Sequence, residues 1–172
     1  MAIIERFRQW YEHEKASNRA MLRMLDSVPL TNRADPRFKE AVTLAAHLAA
    51  CRENWLDRMI YEGQNQVSWW PEDSDLMALP TRYESMEAKW SEYLNSLTDD
   101  LLDADFAFPV TGGSCTWNIE GQIVQLLGHG PYHRGQVALL VKQLDGKPED
   151  TDYLYWAFEQ QPDRWRFEAD SA

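Results

Sequence analysis

Residues 122–144 read QIVQLLGHGPYHRGQVALLVKQL, and this stretch decides how the rest of the chain can be arranged. Its apolar residues recur at intervals of three and four, which predicts an α-helix. Two of the four histidines, His129 and His133, lie four residues apart in it. On a helix of about 3.6 residues per turn, both imidazoles then share one face, where two ring nitrogens can bind one metal ion. A third ligand must come from elsewhere in the chain, and His47 is the candidate.

The overall composition is that of a globular protein. The chain has 172 residues, 44% of them hydrophobic and 26% charged, and we expect a single domain over residues 1–172 because no flexible linker divides them. The net charge of -11 argues against a nucleic-acid partner, since nucleic-acid binding requires a basic surface. Two cysteines, a charged N-terminal stretch and the lack of a long apolar span lead us to expect a cytoplasmic protein with no membrane partner.

The apolar periodicity predicts an all-α fold. Long helices are expected at about 2–27, 35–62 and 118–144, with a short one at 151–160. A further helix is expected to begin at Thr81, which forms a capping box with Glu84, and its apolar stripe runs to Leu101. Residues 61–80 lack periodicity and predict a long crossing loop, and residues 103–117 predict a small hairpin with a glycine turn. The second helix is apolar over a broad surface, one side of which can meet a second subunit.

Polar residues interrupt the apolar stripe of the first helix. Glu14 and Asn18 lie at its centre, where a carboxylate without a partner is costly. We expect either a hydrated cavity beside them or a helix end that is less buried than its pattern indicates. His13 projects away from the stripe, and we expect it to be a solvated surface residue.

Several residues of the fourth long helix are expected to support the histidines. Gln122 and Gln136 share the histidine face, and together with Asn18 they are candidates to accept the N–H that a metal-bound imidazole leaves free. Arg134 is expected to point away and to pair with a carboxylate such as that of Asp152. Four glycines each cost about 1 kcal/mol in a helix interior, which predicts close approach of a neighbouring helix or a ligand. They are Gly121, Gly128, Gly130 and Gly135.

The run HGPYHRGQ at residues 129–136, followed by Leu144, Gly146, Pro148 and Asp152, resembles the signature of the DinB family of damage-inducible, metal-binding proteins. This family is distinct from the DNA polymerase that shares the name. The long first helix, the histidine in HLAACRENWL and the short C-terminal helix extend the resemblance over most of the chain. It implies a four-helix bundle in up-down-down-up order, with residues 61–80 as the crossover, and a homodimer. It also implies that His47, His129 and His133 bind a divalent ion such as nickel or zinc.

Three neutral imidazoles leave at least one coordination position open, as in catalytic metal sites. The first hypothesis is therefore a metal-dependent enzyme acting on a small-molecule substrate, either a hydrolase or a thiol transferase. Glu14 is its hypothetical general base, on the expectation that an apolar environment raises its pKa. Cys51 can supply a ligand or a thiol, although a buried core cysteine is the simpler interpretation. The alternatives are a metal-binding stress or interaction protein without turnover, and histidines with a structural role alone.

Overall fold

The computed structural model describes residues 1–61, 63–64, 67–72 and 74–165. Within them the fold is mostly helical, as predicted, and it includes the predicted antiparallel hairpin. The α-helices are α1 (Ile3–Asp26), α2 (Pro36–Tyr61), α3 (Leu79–Ser96), α4 (Asp99–Leu102), α5 (Ile119–Gln143) and α6 (Tyr153–Gln160). The strands are β1 (Asp105–Val110) and β2 (Gly113–Asn118). The predicted last residue of the second helix, Glu62, lies outside the described residues.

The core lies among four long helices. Helix α5 packs against α1 and α2, and α3 packs against the same two helices from another side. Fully buried side chains at their contacts include Met21, Leu25 and Val137. In α2, buried alanines such as Ala45 and Ala49 allow neighbouring helix backbones to approach closely. This close packing holds the middle of α2, which carries His47, against the middle of α5.

The broad apolar surface of α2 is covered within the chain. Helices α1, α3 and α5 and strand β1 all contact α2, and its apolar residues from Ala41 to Leu56 are largely buried there. The breadth of this surface therefore gives no support to a second subunit, and the homodimer stays a prediction. No described helix combines the length and the apolar character that crossing a bilayer requires.

Polar side chains fix where several helices begin. Asn118 accepts a hydrogen bond from the backbone N–H of Gly121 at the start of α5, at 2.6 Å. Asp152 does the same for the N–H of Leu154 at the start of α6, at 2.7 Å. At the start of α1, Asp99 of the distant α4 accepts from the backbone N–H of Ile4 at 2.8 Å. These contacts satisfy N–H groups that have no partner within their own helix.

The predicted capping box of Thr81 and Glu84 is wrong. Helix α3 begins two residues earlier, at Leu79, because a 3-10 turn at Leu76–Ala78 leads directly into it. The carboxylate of Asp75 caps that turn through the backbone N–H of Met77, at 3.0 Å. The same helix ends at Ser96, so Leu101 lies on the separate helix α4 and is 44% exposed rather than part of the core stripe.

Replacement of Leu25 by alanine tests this core. Because Leu25 is fully buried, we expect Leu25→Ala to lower the free energy of unfolding by about 2–5 kcal/mol, through lost burial and a residual cavity. Leu30 is 80% exposed, and we expect Leu30→Ala to change stability by less than about 0.5 kcal/mol. Urea unfolding monitored by circular dichroism measures both. Equal effects of the two substitutions would contradict this core assignment.

Candidate metal centre

Three histidines from two helices lie close together. Helix α5 continues without a break through Pro131, so His129 and His133 keep their four-residue relationship on one face. Their ring centroids are 4.6 Å apart. The ring of His47, from α2, lies 5.3 Å from that of His129 and 5.0 Å from that of His133. The sequence predicted that these three side chains converge, and the ring centroids do lie within 5.3 Å of one another. Among the described residues, however, the group whose ligand atoms lie close enough together for one ion consists of His47, Cys51 and His129, without His133.

The loop after α2 orients the His47 ring. Nδ1 of His47 lies 2.6 Å from the backbone carbonyl oxygen of Trp69. A carbonyl oxygen can only accept, so Nδ1 carries the proton and Nε2 keeps its lone pair. The indole of Trp70 stacks on the same imidazole, with centroids 3.6 Å apart and planes inclined by 6°. Sequence reasoning missed both residues, and the adjacent tryptophans in a loop without periodicity were the available signal.

The His133 ring is oriented by a side chain of its own helix. Its Nδ1 donates to Oε1 of Gln136 at 2.6 Å, which leaves the lone pair of Nε2 available for a ligand. Gln136 is one of the three residues that the sequence indicated as candidates for such a contact. The other two candidates for such a role have different partners. Gln122 donates to Oε1 of Gln125 at 3.0 Å, and Asn18 is bonded to other polar side chains described below.

The third imidazole, that of His129, has a buried ring nitrogen. Its Nδ1 has no hydrogen-bond partner among the residues that the structure describes. Burial, followed by the positive charge of Arg52, lowers the pKa of His129 to about 4, so the ring is neutral at neutral pH. An unsatisfied buried nitrogen is costly. A neutral imidazole with such a nitrogen fits a bound metal ion.

The thiol of Cys51 borders the same space. Its Sγ lies 3.5 Å from Nε2 of His47, and His47, Cys51 and His129 offer ligand atoms that all lie within 4.8 Å of one another. These three residues could hold a metal ion. Burial raises the pKa of Cys51 to about 11, so without a metal the side chain is a protonated thiol. A set of imidazole nitrogens and a sulfur suits zinc or nickel better than magnesium or calcium.

Glu14 is fully paired rather than hydrated. Its side chain is 5% exposed; Oε1 accepts from Nη2 of Arg52 at 2.6 Å and Oε2 pairs with Nη1 of Arg134 at 3.0 Å. Burial acts to raise the pKa of this carboxyl, but the two guanidiniums outweigh it and the pKa is lowered. The expected raised pKa is therefore wrong, and with it the reason for treating Glu14 as a general base. The carboxylate instead connects α1 to α2 and α5.

Two further buried polar residues have partners other than the expected ones. Arg134 does pair with a carboxylate, as predicted, but with that of Glu14 rather than Asp152; it is 1% exposed and also donates to Oδ1 of Asn18 at 3.1 Å. Asn18 in turn donates to Glu87 of α3 at 3.0 Å. His13 is half-buried, and its Nε2 donates to the carbonyl oxygen of Thr151 at 3.0 Å while its ring packs against α6.

Gly130 explains part of the glycine cluster. A Cβ at this position would lie 2.8 Å and 2.9 Å from the two carboxylate oxygens of Glu14, which is too close. The predicted close approach is therefore present here. At Gly128 and Gly135 a Cβ would meet nothing within 4 Å, and the structure gives no steric reason for those two glycines.

The comparison with protein families confirms the resemblance noted in the sequence. The model of the DinB family matches residues 4–164, which is nearly the whole chain. No curated protein and no solved structure matches this chain.

Gly130 and Gly128, two of the four glycines of α5, give a matched pair of substitutions. We expect Gly130→Ala to destabilise the protein, because its methyl group displaces the Glu14 carboxylate from the arginines. We expect Gly128→Ala to stabilise it by about 0.5–1 kcal/mol, since alanine favours the helix and the methyl group has open space. Thermal unfolding of both variants measures the difference. Stabilisation by both substitutions would show that the close contact is absent.

Replacement of Glu14 by glutamine removes the charge that the two arginines share. Because an uncompensated charge in the interior is unfavourable, we expect Glu14→Gln to lower the free energy of unfolding by about 3–5 kcal/mol at pH 7. Glu12→Gln is the control, because the Glu12 side chain is 57% exposed where it pairs with Lys15, and its replacement should cost less than about 1 kcal/mol.

The same variant has an expected pH dependence. The folded protein lowers the pKa of Glu14 below its ordinary value of 4.5, so its contribution to stability is present above pH 4.5 and is lost as the pH falls through the folded-state pKa. The stability difference between wild type and Glu14→Gln should therefore shrink on acidification below pH 4.5. A difference that stays constant down to the pH of acid unfolding would contradict the ion pairs.

Proposed function

The chain belongs to the DinB family, and from this premise we propose that His47, His129 and His133 together bind one divalent metal ion, zinc or nickel. The convergence of the three imidazole rings, with centroids 4.6–5.3 Å apart, carries the proposal. Two observations support it: the lone pairs left on Nε2 of His47 and His133, and the Nδ1 of His129, for which the described part of the chain provides no hydrogen-bond partner.

The proposed architecture around this centre is a single domain over residues 1–172, a four-helix bundle of α1, α2, α3 and α5 in up-down-down-up order. The two central helices of that order are α2 and α3, and the segment between them is the proposed crossover. The contacts of α1 and α2 with both α3 and α5 support this arrangement. We further assign the protein to the cytoplasm, because two cysteines are too few for a disulfide framework, and to a homodimer, as the family resemblance implies.

The proposed activity is that of a metal-dependent enzyme acting on a small molecule, as a hydrolase or a thiol transferase. A divalent ion supplies Lewis-acid chemistry that lowers the pKa of water or a thiol. The chain contributes the rigidity of the site: the Trp69 carbonyl and the Gln136 amide fix two imidazoles, and the Trp70 indole shields the face of His47 from water. Three histidine ligands leave one coordination position for the substrate.

One observation favours a second function, a metal-binding stress or interaction protein without turnover. The Cys51 thiol lies 3.5 Å from Nε2 of His47, close enough to provide a fourth ligand after small rotations. Four protein ligands close a tetrahedral site, as in structural zinc sites. In that case the metal stabilises the fold, and the protein serves a damage or stress response by binding rather than by catalysis.

Metal content and turnover, measured together, test the proposal. Protein purified without chelator should hold about one equivalent of metal. The His133→Ala variant should bind the metal more than about 100-fold more weakly, because removing a residue that only hydrogen-bonds a ligand already lowers metal affinity by up to about 100-fold. His13→Ala is the matched control, because this histidine contacts Thr151 instead. Metal binding unchanged in His133→Ala would refute the three-histidine site.

The role of Cys51 separates the two functions. If three histidines bind the metal and one coordination position stays open, the Cys51→Ala variant should still bind the metal and should still catalyse ester hydrolysis, amide hydrolysis or thiol conjugation. If Cys51 is a fourth ligand and no coordination position is open, the Cys51→Ala variant should bind the metal more weakly, and the wild type should show no turnover in any of these assays. A wild-type protein that binds metal tightly without turnover would decide for the second function.

A further inference from the structure

A groove lies against the outer side of the histidine cluster. It runs between α2, α5 and the loop that carries Trp70, and His133 forms part of its wall. Its volume of about 660 Å³ falls within the range of small-molecule sites. Because His133 faces both the groove and the other two imidazoles, a molecule in the groove lies next to the proposed metal position.

Two aromatic rings flank His133 in this groove. The centroid of Trp70 lies 6.0 Å from that of His133 and the centroid of Tyr132 lies 4.9 Å from it, and both rings meet the imidazole edge to face. Trp70 is 50% exposed and Tyr132 is 65% exposed. Large aromatic surfaces that stay in water beside a site provide contact area for a ligand, and they favour planar groups that can stack or meet them edge-on.

The charges of the groove restrict the ligand further. Its lining contains two acidic residues, Glu40 and Glu72, and one lysine, Lys39, so acidic residues are in excess. The whole chain carries a net charge of -11, which adds to the negative potential. Such a groove repels anions, whereas aromatic rings beside carboxylates accept neutral and cationic groups.

We propose that this groove binds a planar aromatic group without negative charge, as the body of the small molecule whose reactive part reaches the three histidines. The proposal rests on the function proposed above. Trp70 and Tyr132 are its specificity-determining residues, and Glu40 and Glu72 exclude anionic analogues. The site is therefore selective by shape through the two rings and by charge through the two carboxylates.

Three probes of nearly equal shape test the charge selectivity: benzamide, benzamidine and benzoate. Ligand-observed NMR titrations with the chelator-treated protein report on the groove alone, because benzoate cannot then bind a metal. We expect saturable binding of benzamide and benzamidine, at least tenfold tighter than that of benzoate. The double variant Glu40→Gln, Glu72→Gln should reduce this preference. Absence of saturable binding, or benzoate binding as tight as benzamide, would overturn the proposal.

The aromatic wall is tested through Tyr132, since Trp70 also stacks on His47. We expect Tyr132→Ala to weaken benzamide binding about three- to tenfold through the lost ring contact. Tyr155→Ala is the matched control, because Tyr155 is 61% exposed on α6 and does not line the groove. Equal effects of the two variants would overturn the assignment of the groove.

To separate this inference from the metal proposal, zinc is added to the protein, the zinc that it retains is measured, and the titrations with the three probes are repeated. Selective, Tyr132-dependent binding in a protein that retains no zinc would refute the metal site and leave the groove intact. Stoichiometric zinc without selective probe binding would leave the metal site and refute the groove.

Discussion

The shared ion pair of Glu14 with Arg52 and Arg134 is the constraint on which the rest of the structure depends. One buried carboxylate of α1 holds a guanidinium of α2 and a guanidinium of α5. Removing charges from water is costly, so these three groups are stable in the interior only in their mutual geometry. Arg52 directly follows Cys51 in sequence and Arg134 directly follows His133. The separation of the two helices that carry the histidines is therefore tied to this ion pair.

The second constraint comes from a segment without regular structure. Residues 69 and 70 fix the His47 ring by a hydrogen bond and a stack, and Trp70 also borders the outer groove. The positions of the three histidines in the chain thus depend on packed helices, whereas the orientation of the His47 ring and the border of the groove depend on a loop. Such a division is common in binding sites, where a rigid scaffold positions ligands and a loop shapes access.

The sequence predicted the helices and the grouping of the histidines because both follow from local periodicity or from a resemblance that extends over the chain. It did not predict which buried polar groups pair across helices, because such pairing depends on the relative rotation of the helices. Glu14, Arg134 and His13 were each assigned to water or to the wrong partner for this reason. The start of α3 was missed because the Asp75-capped turn, a local feature, competes with the Thr81 signal. Metal ligation itself stays a prediction.

Anomalous X-ray scattering from crystals grown with zinc tests the central claim most directly. Data collected on both sides of the zinc absorption edge locate the metal independently of any assumption about its ligands. Our account predicts one strong peak among the three imidazoles, about 2.0–2.1 Å from a ring nitrogen of each of His47, His129 and His133. A zinc peak bound elsewhere on the protein, or no ordered peak at this position, would contradict it.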